Sequence, residues 1–292
     1  MAVATNRARW FGASRGFARS GAASLRAGFI LLVALVGLWL FATVALPDPT
    51  HRDLANGSVP PLSPGHPLGT DVLGADLLSW CANGVATSLG IGITVAAISG
   101  LVGVLVGTLA GYLGGWVDAL LMRVVDLNLA VPPLLVFLAA MMVLPRGFTT
   151  MVLLLSSVGW VPYARLVRTN VLVDRERGYI AAARLAGSRR LSIIFGHLVP
   201  ASATPIIVFA SLHVGFVMLA EGGLSFLGLG LEPPTVSLGY MISQGRDQLG
   251  TTWWIATVPG VFIVLLILAV NLIGDGLRDR FHVDGVDHRN GR

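Results

Sequence analysis

Six stretches of this chain are apolar and long enough to cross a lipid bilayer, and that repetition limits the fold before any motif is weighed. One helical crossing of the hydrocarbon core takes about 20 mostly apolar residues. With no water there to satisfy backbone groups, runs of that length have to be helices. The runs are 28–46, 85–112, 119–144, 148–167, 198–220 and 253–273. Composition agrees: 54% of the 292 residues are hydrophobic and 12% are charged, against about 25% charged in soluble proteins. The expected fold class is an all-α integral membrane protein with six transmembrane helices. Its expected parts are a cytoplasmic arm at 1–27, a first transmembrane helix at 28–46, an extracytoplasmic loop at 47–84, and a five-helix core at 85–276. That core carries a cytoplasmic loop at 174–199, and a cytoplasmic tail follows at 277–292.

All 20 basic residues are arginine. A chain without lysine has no phosphate-binding loop of the Walker A kind, which needs a lysine on the β/γ phosphates, and no Schiff-base chemistry. Cys81 is the single cysteine, so neither an internal disulfide nor a cysteine metal site is expected. With six spans and a cytoplasmic N-terminus, 17 of the 20 arginines fall inside and only Arg52, Arg146 and Arg246 outside. That bias is the positive-inside rule. It also accounts for the sequence pI of about 10.3 without nucleic acid as a partner. The run at 28–46 follows five arginines, as a secretory signal would, but it exceeds a usual signal core and further spans follow.

Several spans carry marked residues. Gly103, Gly107 and Gly111, with Gly100 just before, form a smooth stripe that lets another helix approach closely, either within this subunit or from a partner. Pro132 and Pro133 interrupt the third run and predict a kink there. Arg123 and Asp126, three apart, are placed to pair with each other. Glu221 and His213 on the fifth span and Asn271 on the sixth are polar groups expected to face a cavity or protein rather than lipid. No paired carboxylates, Ser-His-Asp set or histidine-rich cluster has persuasive spacing, so no catalytic, cofactor-binding or metal-binding residues are expected.

The stretch 179–200, YIAAARLAGSRRLSIIFGHLVP, lies between two apolar runs on the arginine-rich side. Helix formers lead to Gly187, a natural helix stop, and Ser188 is available to cap a second short helix running to Phe195. Two short helices joined at a glycine make a compact knob. Small Ala181, Ala182 and Ala183 would let one side of it seat against another protein, and Arg189 and Arg190 would meet acidic surface.

This loop, with Ala181-Ala182-Ala183, Gly187, His197 and Pro200, resembles the EAA loop of binding-protein-dependent ABC importer permeases. Two further stretches narrow the resemblance to the dipeptide/oligopeptide/nickel group and its C-type (DppC/OppC-like) subunit. His66-Pro67-Leu68-Gly69-Thr70-Asp71 with Leu73-Gly74 and Asp76 is similar to the group's stretch before the second span. The run 221–234, EGGLSFLGLGLEPP, is similar to its loop between the fifth and sixth spans. The matches fall in family order over about 250 residues.

The resemblance implies a type I ABC importer permease with cytoplasmic coupling helices, moving di- or oligopeptides across a bacterial cytoplasmic membrane. Nickel or another small solute is the alternative cargo, and an ion-coupled secondary carrier the alternative class. Implied partners are a second homologous permease, two ATP-binding subunits or one fused ATPase, an extracytoplasmic peptide-binding protein and membrane lipid. ATP and Mg would be bound by those partner subunits and no cofactor by this chain. Tyr179, Ala181, Ala182, Ala183, Gly187, Arg189, Arg190, His197 and Pro200 would dock the ATPase. Gly69, Thr70, Asp71, Asp76, Glu221, Leu224, Phe226, Leu227, Gly228 and Glu232 would form an outer gate or meet the binding protein. The chain departs from the family where a glutamate is Ala181, an acidic position is Gly178 and an arginine is Ala75. Docking is therefore expected to depend more on shape than on charge.

Overall fold

The protein is described from a computed structural model covering residues 4–46, 48, 51–233 and 235–290, with side chains considered from 21 to 280. Pro47, Pro234 and Arg292 lie outside the described residues, as do the side chains of Arg7, Arg9, Arg15, Arg19 and Arg289. The helices are α1 (Ala4–Ala45), α2 (Leu77–Leu113), α3 (Gly115–Ala130), α4 (Pro133–Met141), α5 (Phe148–Asp174), α6 (Gly178–Leu185), α7 (Arg190–Ile193), α8 (Val199–Ala201), α9 (Ala203–Leu224), α10 (Leu238–Gly245) and α11 (Trp254–Asn290). Wider π-type turns continue α7 into α8 at Ile194–Leu198 and extend α9 at Ser225–Leu229.

Among the described residues, five helical segments are long and apolar enough to span a membrane: Gly21–Ala45, Leu77–Leu113, Phe148–Asp174, Ala203–Leu229 and Trp254–Arg280. A sixth span exists if α3 and α4 count as one, and these are bent by 72° at their break. The double proline does more than kink a continuous helix. Val131 has already left helical geometry with ψ at 130°, as a residue before proline tends to. Pro132 then caps α4, and Pro133 takes its first turn, where a missing N–H costs nothing.

Helix ends extend past the apolar runs. α2 begins at Leu77, eight residues before the run at 85–112, so the polar stretch 47–84 ends inside a helix. α5 continues to Asp174, α11 runs through the expected tail, and α1 runs through the expected arm. Hydropathy marks where lipid is tolerated, whereas helices stop at capping chemistry.

The glycine stripe packs within the subunit. A Cβ at Gly103 would collide with Tyr163, one at Gly107 with the Ala164 carbonyl, and one at Gly111 would sit 2.9 Å from Val171. These residues are all on α5. Because lipid is as apolar as leucine, close van der Waals approach of this kind is what holds two such helices together. Asp126 does not pair with Arg123. Its Oδ1 accepts instead from Arg165 on α5 at 2.9 Å, because a long guanidinium on a facing helix reaches it better than an arginine one turn away.

Candidate functional site

The three motif regions fall at opposite ends of α2, a 37-residue helix about 55 Å long at 1.5 Å per residue.

At its start, the residues before α2 fold into a compact knob. Thr70 Oγ1 donates to the Asn56 carbonyl at 2.6 Å and accepts from the Val59 N–H at 2.8 Å. Trp254 of α11 donates to the Thr70 carbonyl at 3.1 Å. Asp71 Oδ1 accepts from the N–H groups of Leu73 and Ala75 at 2.9 and 2.6 Å, and burial nonetheless pushes its carboxyl above the usual carboxylate range. Asp76 is the N-cap of α2: Oδ1 accepts from the Ser79 N–H at 2.9 Å while Oδ2 meets His66 Nδ1 at 2.8 Å. Ala75 is fully buried.

Next to this knob, Glu221 has no solvent exposure. Its Oε1 accepts from Ser225 at 2.8 Å and Ser237 at 2.7 Å, and Oε2 accepts from Ser88 at 3.4 Å. Ser237 also caps α10, accepting from the Tyr240 N–H at 3.2 Å, and Ser88 accepts from the Leu238 N–H at 3.3 Å. One carboxylate thus ties together α2, the end of α9 and the start of α10. Gly69, Thr70, Asp71, Asp76, Glu221 and Leu224 are all buried, so they are not surface contacts. The bonds of Thr70, Asp71, Asp76 and Glu221 hold this end together. Phe226, Leu227, Gly228 and Glu232 are exposed. Gly228 has φ at +79°, Glu232 pairs with Arg146 at 3.1 Å, and Arg246 binds the Phe226 carbonyl at 3.0 Å while lying over its ring.

At the other end, α6 stops at Gly187, whose φ is +75°. The Ser188 N–H bonds to the Ala183 carbonyl and the Gly187 N–H to that of Arg184, both at 3.1 Å, which is the Schellman closure. Ser188 therefore ends the first helix rather than capping the second. Arg189 stands at the N-cap of α7 without a side-chain bond, and helical structure continues past Phe195 to Ala201. Ile180, Ile193, Ile194 and Leu198 are buried against Val167 and Val171 of α5. Apolar side chains buried this fully contribute roughly 1.5–3 kcal/mol each, which fastens the knob to α5. Arg175, which follows α5, also donates to the Gly111 carbonyl at 2.8 Å, and Arg168 holds Asp118 through two bonds of 2.5 and 2.6 Å.

The outward side of this knob is open. Tyr179, Ala181, Ala182, Gly187, Arg189, Arg190, His197 and Pro200 are exposed and Ala183 is half-buried. Tyr179 stacks on His197 with ring centres 6.3 Å apart. Between them stand three large apolar residues without a motif signal: Leu185 is 90% exposed, Leu191 68% and Phe195 58%. A leucine inside an arginine-rich loop could have flagged them, since a loop needed only for orientation has no use for it.

These features define a polytopic α-helical transport subunit. The chain belongs to the family of binding-protein-dependent transport system inner membrane components, which it matches over residues 103–283. Its curated relatives include the di/tripeptide transport system permease protein DppC of Pseudomonas aeruginosa, 38% identical over 86% of this chain and 85% of that one. The oligopeptide transport system permease protein OppC of Mycobacterium bovis is 41% identical over 89% of each chain. The glutathione transport system permease protein GsiD of Pectobacterium atrosepticum is 34% identical over 91% and 88%. A solved structure of the inward-facing MetNI methionine ABC transporter superposes with a TM-score of 0.55 at 18% identity, covering 74% of this chain and 98% of that one. That likeness is one of fold, the type I ABC importer permease fold.

Proposed function

We propose that this chain is a membrane-spanning subunit of an ATP-driven importer of short peptides, with the 179–200 knob on the cytoplasmic side as the element that ATP-binding subunits grip. The observation that carries the reading is the knob itself. Buried isoleucines and Leu198 fasten it to α5, a glycine-closed turn shapes it, and Leu185, Leu191 and Phe195 stand in the open. A rigid body with an exposed apolar tip transmits displacement to the helix it is fastened to. ATP and Mg would be bound on those partner subunits, since a lysine-free chain has no Walker A loop. Both termini would face the cytoplasm, as the arginine distribution supports. A second permease would complete the translocation path, and a binding protein would deliver peptide at the Glu221 end, where Phe226, Leu227 and Glu232 are exposed. The names of the relatives support peptide as the cargo.

The test is copurification. Introducing Leu185→Asp with Leu191→Asp is expected to strip the ATP-binding subunits from the purified complex and abolish peptide-stimulated ATP hydrolysis while the permease pair stays assembled. Full retention of those subunits and of stimulation would refute the docking role. Measuring which peptides the cognate binding protein retains tests the cargo.

A further inference from the structure

The arginines between 165 and 190 divide sharply by partner. Arg165, Arg168, Arg175 and Arg177 each hold a carboxylate, on Asp126, Asp118, Glu176 and Asp174. Among the described residues none lies within 4.0 Å of Arg184, Arg189 or Arg190. Of these three, Arg184 and Arg190 line a cavity of about 450 Å³ with Tyr112, Leu113, Ser188 and Ile193. The Arg184 guanidinium sits over the Tyr112 ring, 5.6 Å from its centre, a cation–π contact that holds the charge against the end of α2. Tyr112 and Leu113 are the last two residues of that apolar helix, so the cavity opens where the span ends. Leu113 is itself 46% exposed.

We infer that this cavity binds the phosphate-bearing headgroup of an anionic phospholipid. Arg184 and Arg190 face the phosphate, the Ser188 hydroxyl donates to it, and Leu113 lies against the first acyl carbons. Basic pockets at a membrane boundary are suited to such headgroups, and here Arg184, Arg190 and Ser188 share the wall with Tyr112, Leu113 and Ile193. An acidic side chain of an ATP-binding subunit would satisfy the charges but not the apolar wall. The exposed tip residues Leu191 and Phe195 do not line the cavity. The inference rests on the proposed docking in that the cavity stays uncovered when the knob is gripped, which assigns Arg190 to the lipid and leaves the grip to Leu185, Leu191 and Phe195.

The experiment uses the delipidated, assembled complex, titrated with phosphatidylglycerol, phosphatidylethanolamine or inorganic phosphate and read by native mass spectrometry. Wild type is expected to bind phosphatidylglycerol preferentially. Arg184→Gln with Arg190→Gln is expected to weaken that binding roughly 30-fold, at about one kcal/mol-equivalent per arginine. Arg184→Lys with Arg190→Lys keeps binding within a few-fold, because a point charge still holds a phosphate; that variant guards against misfolding as the cause. Equal binding by the glutamine variant overturns the inference, as does equal binding of phosphatidylethanolamine by wild type. Inorganic phosphate competing as tightly as the lipid overturns it in favour of a free anion site. Loss of the ATP-binding subunits with lipid binding intact overturns it in favour of a protein carboxylate. Failure of the docking reading appears in the Leu185→Asp, Leu191→Asp copurification and leaves this titration unaffected.

Discussion

Gly74 and Gly187 have nearly the same backbone angle, φ at +80° and +75°, yet they stand in opposite surroundings at opposite ends of the molecule. A Cβ at Gly74 would collide with the Asp53 carbonyl, whereas one at Gly187 would meet no atom within 4 Å. The first end ties Thr70, Asp71, Asp76 and Glu221 into hydrogen bonds and buries all four. The second is equally well shaped but turns its apolar and cationic side chains outward. A region that satisfies its own chemistry provides a frame, and a region that is rigid and unsatisfied provides a contact.

The largest effect that sharpens this contrast is expected at Gly74. Gly74→Ala combines left-handed strain of about 1–2 kcal/mol with a backbone collision. It should lower the thermal midpoint and yield of the purified complex severely, and a normal midpoint would show that the 51–76 knob is not a rigid frame. Glu221→Ala comes next, because it leaves three buried hydroxyls without their acceptor, at roughly 3 kcal/mol or more. Glu221→Gln retains an acceptor at Oε1 and should cost about 1 kcal/mol. Equal thermal midpoints for the two would break the claim that this group is a structural tie.

At the open end, Gly187→Ala is expected to cost only the strain, about 1–2 kcal/mol, leaving the complex folded. Its effect should appear instead as weaker retention of ATP-binding subunits, measured by copurification. The smallest effect concerns Asp71. A carboxyl raised by burial favours the folded state at pH below its unfolded value and loses that advantage as pH rises through the folded one. Asp71→Asn keeps an oxygen for both backbone bonds but does not titrate. Wild type should therefore gain stability relative to this variant as pH is lowered from 7 towards 4, measured by thermal midpoint, and a constant difference would contradict it.

Local features were legible where local physics decides them. Gly187 as a helix stop and the glycine stripe as a packing face follow from the lack of a Cβ, a property of the residue itself. Interactions between distant segments were not. Asp126 has an arginine three residues away and pairs with another 39 residues on. Glu221 looked like an outer contact because nothing in 221–234 reveals that Ser88, 133 residues before it, approaches from α2. Ser188 had the right chemistry for a cap, but its backbone had already been used to close the preceding turn.

By itself the sequence determined a helical membrane protein with six apolar runs, an arginine bias and no lysine. These follow from composition and from the bilayer's intolerance of unpaired backbone groups. Only the tertiary structure decided which motif residues are accessible. Burial depends on which helices meet, and that separated a self-satisfied cage around Glu221 from an open knob bearing Leu185, Leu191 and Phe195.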